Sequence, residues 1–102
     1  LPVDVKGEII SMTEIEASRL RSITNHNINT EPTSHDDMVI GNVYANIGIS
    51  NTFIIGRLNR IKESYYVLTN CVCMMRSGKV FHCTPSSRPI LKNDNSLFYQ
   101  FD

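Results

Sequence analysis

The run Cys71-Val72-Cys73-Met74-Met75-Arg76-Ser77-Gly78-Lys79-Val80-Phe81-His82-Cys83 sets a turn signal, Arg76-Ser77-Gly78, between two stretches of strand-forming residues. With Gly78 left-handed, the three turn residues close a hairpin in which Met75 faces Lys79, Cys73 faces Phe81 and Cys71 faces Cys83. Directly opposed Cβ atoms lie about 4.5 to 5.5 Å apart, so modest twisting brings two sulfurs into bonding range. The expected disulfide is therefore Cys71 with Cys83. A two-residue turn would instead make Cys83 diagonal to both Cys71 and Cys73. Cys83 is the shared partner in either register, and which upstream cysteine it takes stays open.

Working outward, β-branched and aromatic residues cluster between Gly, Asn and Ser from Met38 onward. They predict antiparallel strands at about 38 to 45, 52 to 57, 64 to 75, 79 to 84 and 96 to 101. The segment from Pro85 to Asn95 reads as a long turn. In the last strand Phe98 and Gln100 share one face, Tyr99 and Phe101 the other. Upstream, Val3 to Ile10 reads as a short first strand bent at Gly7. Ser11 and Thr13 stand three residues before Glu14 and Glu16, the capping-box spacing. A helix is expected at about 13 to 23, with Met12, Ile15, Leu20 and Ile23 on its apolar side. Asn25 to Asp37 holds one apolar residue in thirteen and reads as a polar loop. The expected class is α+β: a mainly antiparallel sheet with one N-terminal helix packed on it, in a single domain spanning 1–102.

At 102 residues and 41% hydrophobic, the chain can build one core, and no apolar run reaches the roughly 18 residues of a membrane helix. Ten Lys and Arg balance ten Asp and Glu, which gives no reason to expect nucleic acid or a membrane surface as partner. The balance hides an asymmetry: residues 1–51 carry seven acids and three bases, residues 52–102 seven bases and three acids. The halves attract each other, and the second half offers a basic face. Leu1 in place of Met is read as the mark of a removed upstream segment, either a signal peptide or a tag. Three cysteines within thirteen residues ask for a bond, which favours an oxidising, secreted setting.

Catalytic and metal constellations find little support. His82 and Cys83 are neighbours on a strand and point to opposite faces, so Cys71, Cys73, His82 and Cys83 do not converge on zinc. No nucleophile elbow, Walker loop or dinucleotide fingerprint occurs. His26, His35, Asp36 and Asp37 in the polar loop are the remaining metal candidates, with a solvated, empty loop the favoured reading. No enzyme activity and no cofactor are expected.

Gly41-Asn42-Val43-Tyr44, Thr52 to Arg57, Cys71-Val72-Cys73 and Ser77-Gly78-Lys79 together resemble the DM-nine repeat family of lectin-like domains over about 45 residues. That resemblance implies β-hairpins and mannose binding through acidic and lysine side chains. Of those side chains only Lys79 is matched here, since Val80 stands where the family has an acid. The order of a strand, a helix and several antiparallel strands is also similar to the cystatin roll, but the Gln-x-Val-x-Gly loop of that family does not occur.

The resulting expectation is a small secreted binding protein that acts by surface contact on another protein, of inhibitor or host-defence type. Arg57, Arg60, Lys62 and Arg76 would supply bidentate or ionic contacts to carboxylates. A glycan-binding module using Lys79 is the alternative. A structural or viral domain that dimerises through its third cysteine or terminal strand is a further one.

Overall fold

The computed structural model describes residues 11–48, 52–93 and 95–102. The strand expected at 3 to 10 lies outside the described residues. Helix α1 spans Glu14–Thr24, and a single 3₁₀ turn spans His35–Asp37. Six strands follow: β1 Val43–Ile47, β2 Thr52–Ile61, β3 Tyr65–Met75, β4 Val80–His82, β5 Arg88–Leu91 and β6 Leu97–Gln100. They form one antiparallel sheet in the order β4-β3-β2-β1-β6, with β5 also paired to β3. One helix and a mostly β architecture fit the α+β class.

The capping box forms as its spacing demands: Glu16 N donates to Thr13 Oγ1, and Thr13 N donates to Glu16 Oε1. Met12 and Leu20 are buried as expected, but the rest of the buried side of α1 differs. Ile15 is 66% and Ile23 43% exposed, while Glu16, Ala17 and Leu20 are buried. The reason is that Arg76 holds the Glu16 carboxylate at 2.8 Å, which turns that acid inward with the small Ala17 beside it.

The hairpin keeps the expected register. Cys73 pairs with Phe81, Met75 N donates to Lys79 O at 2.8 Å, and Gly78 has φ of +102°. The disulfide is nevertheless diagonal: Cys73 bonds to Cys83, with Cα atoms 6.1 Å apart, in place of the expected Cys71–Cys83. Cys71 does face Cys83, whose N–H donates to Cys71 O at 3.1 Å. Its sulfur, however, lies over β2, where a Cβ on Gly56 would come within 2.9 Å of it. Cys71 is 1% exposed and remains a thiol.

Two irregularities in the β2–β3 ladder set which residues share a face. Asn70, with φ of +54°, is an extra residue on β3 that returns Cys71 to the face of Leu68. Asn59 is an extra residue on β2, between the Leu58–Leu68 and Arg60–Val67 pairs. Strict alternation along the sequence does not foresee either.

Strand β5 falls inside the segment read as a turn. Among the described residues it pairs only with β3, and such an edge position tolerates Pro89, which has no N–H to donate. The polar segment after α1 runs along the outer side of β6: Asn29 N donates to Gln100 O, Thr33 N to Phe98 O, and Asp102 N to Asn27 O. Among the described residues, these bonds occupy the outer edge of the terminal strand.

Both faces of the sheet carry a core. One cluster joins Met12, Ala17, Leu20 and Ile28 to Ala45, Ile47, Phe53, Ile55, Met74, Tyr99 and Phe101. The other joins Met38, Tyr44, Leu58, Tyr66, Leu68, the three cysteines, Ile90 and Phe98. Within it the Tyr66 and Phe98 rings lie 5.1 Å apart. They stand on strands three pairings apart, which a flat sheet would separate by about 14 Å, so the sheet curls around this second core.

Candidate binding surface

Paired residues in an antiparallel ladder share a face. Arg57 pairs with Thr69 and Arg60 with Val67, and Thr69 and Val67 are two residues apart on β3. The two arginines therefore point the same way. Residues three apart on a regular strand would point oppositely, so the extra residue Asn59 is what aligns them. Their face is the one that carries Ile55, Phe53 and Met74, which are buried with Met12, Ala17 and Leu20 toward the hairpin end.

Beyond Ile55 that face opens in three rows: Val43, Arg57 and Thr69; then Arg60, Val67 and Pro89; then Tyr65 and Leu91. Arg57 and Arg60 are exposed, Val67 and Tyr65 half-buried, and Leu91 63% exposed. Arg57 Nη1 donates to Gly41 O, which fixes one edge of the guanidinium. Arg60 and Lys62 have no acidic partner among the described residues. A hollow of about 230 Å³ borders the first row, lined in part by Thr24, His26, Arg57 and Phe101. Guanidinium groups beside aliphatic and aromatic side chains suit a carboxylate-bearing, partly apolar surface.

The four cations expected to act together, and Lys79 of the glycan-binding alternative, fall in two places. Lys62 lies in the β2–β3 turn, exposed, with its N–H donated to Tyr65 O at 2.9 Å. Arg76 and Lys79 lie at the hairpin, level with Thr52, about 30 Å along β2 from Ile61. Arg76 is also committed within the chain: Nη1 reaches both Glu16 oxygens at 2.9 and 2.8 Å, and its guanidinium stands 5.6 Å from the Phe53 ring centre. Replacing Glu16 by alanine keeps the bond from its backbone N–H to Thr13 Oγ1 but removes the carboxylate half of the capping box and leaves Arg76 unpaired over the core. It is expected to cost about 2 kcal/mol in urea unfolding, against less than about 0.5 for Glu14→Ala.

No group of three His, Cys, Asp or Glu side chains gathers as metal ligands among the described residues. His35 instead stacks on Tyr66 with ring centres 5.6 Å apart and shares a 2.8 Å hydrogen bond between its Nδ1 and the Tyr66 hydroxyl. Lys92 Nζ stands 4.9 Å from the centre of the Tyr66 ring. Burial pushes the Tyr66 phenol above its ordinary value, with the Asp36 charge adding to the effect. Burial likewise raises the Cys71 thiol and the Tyr99 phenol, though backbone N–H groups of Arg88 and Met12 partly offset it.

All three groups hold their protons more tightly in the folded chain than in the unfolded one. Their contribution is thus complete below their ordinary values of 9.0 and 10.0 and is lost as pH rises past them. The expected urea midpoint is unaffected by these groups between about pH 7 and about pH 8.5, and falls steeply above about pH 9.

No described helix is long and apolar enough to cross a membrane. No family model, curated protein or solved structure matches the chain.

Proposed function

We propose that this chain is a small secreted, non-enzymatic binding protein whose open sheet face grips an acidic surface on another protein. In this reading α1 packs on the hairpin half of the face and leaves the other half free for a partner. The observation that carries it is the alignment of Arg57 and Arg60 beside Tyr65, Val67 and Leu91, with Lys62 at the edge. The Cys73–Cys83 disulfide supports an oxidising compartment.

The test is capture of proteins from serum or haemolymph on the immobilised chain. Acidic proteins should be retained, released by salt, and bound at least about tenfold more weakly by the Arg57→Glu, Arg60→Glu double variant. Lys79→Glu should bind as the parent does. Equal loss with Lys79→Glu, or retention that ignores Arg57 and Arg60, would overturn the reading.

A further inference from the structure

We propose that the hollow between β5 and the β1–β6 pair binds a neutral saccharide unit. The hollow measures about 390 Å³, and the side chains that matter in it are Asn46, Ile90, Asn93, Asn95 and Ser96. No charged side chain lines it among the described residues.

Asn46 carries the argument. It is 6% exposed, and its amide nitrogen donates to Ser96 Oγ at 2.7 Å and to Leu97 O at 3.1 Å. Both amide hydrogens are spent, which leaves Oδ1 as an acceptor with no partner among the described residues. Ser96 Oγ already accepts from Asn46, so its own hydrogen remains to be donated. An acceptor and a donor thus stand side by side on buried residues, the complement of two adjacent hydroxyls, each of which gives and takes one hydrogen bond.

The far wall is held in place as well. Asn93 Oδ1 accepts from Asn95 N at 3.0 Å and Asn93 O from Ser96 N at 3.1 Å, and the Asn93 amide nitrogen is left to donate. Ile90, which pairs with Tyr66 on the same face as Phe98 and Asn46, adds an apolar wall against which the C–H face of a pyranose ring can lie. This site does not involve Lys79 and is independent of the arginine face, which it meets only along β5.

The test is an amide NMR titration with glucose, galactose, mannose and N-acetylglucosamine, each to about 100 mM, since single sugars bind with constants in the millimolar range. At least one should move the Asn46 side-chain signal saturably. Ser96→Ala and Asn93→Ala should each weaken that sugar about tenfold, while Arg60→Glu leaves it unchanged. The backbone spectrum reports whether each variant is folded. Silence from all four sugars, equal binding by the folded variants, or binding only of glucuronate or glycylglycine would overturn the proposal.

Discussion

Phe98→Ala is expected to destabilise the fold by about 3 to 5 kcal/mol, the most of any single truncation considered. Phe98 is 1% exposed, and its ring meets Tyr66, Tyr44 and His35 edge-on at 5.1, 6.3 and 6.0 Å. Alanine would leave a void where the curled sheet closes on itself, and the edge-to-face contacts would be lost with it. Phe81→Ala is the control: Phe81 is 43% exposed and should cost less than about 1 kcal/mol. Urea unfolding of the two variants measures the difference. Equal costs would mean that Tyr66 and Phe98 do not meet inside one core.

Cys83→Ala is expected to cost about 3 kcal/mol and to lower the melting temperature by on the order of 10 °C. The bond to Cys73 closes a short loop, with a sequence separation of 10, and restricts the unfolded chain. Alanine at 83 is chosen because Cys73→Ser would leave Cys71 facing Cys83, free to form a replacement bond. Reduced parent protein should match the variant. A non-reducing peptide map should return Cys73 joined to Cys83 and Cys71 as a free thiol; Cys71 joined to Cys83 would contradict the observed pairing.

What the sequence made legible was local chemistry. Gly78 in its turn, the Thr13–Glu16 cap and the two-faced alternation of Phe98 to Phe101 each depend on residues within a few positions of one another. What it hid was set by partners far along the chain. Pro89 argues against a strand until β3 is seen to leave it an edge position. Ile15 and Ile23 look like core until Arg76 draws Glu16 inward.

The candidate surface was half visible for the same reason. Arg57, Arg60 and Lys62 stand out as a basic cluster, but whether the two arginines share a face depends on one extra residue, Asn59, that alternation cannot locate. Arg76 looked equally available and is engaged by an acid sixty positions away. The amides around Asn46 carry no motif at all; they meet only because β5 approaches β1 and β6.

The most direct measurement is an amide NMR titration with a synthetic copolymer of glutamate and tyrosine, read residue by residue. The account predicts that shifts gather on Arg57, Arg60, Tyr65, Val67 and Leu91, fade with added salt, and disappear in the Arg57→Glu, Arg60→Glu protein. Shifts centred on Lys79 and His82, or none at all, would contradict it.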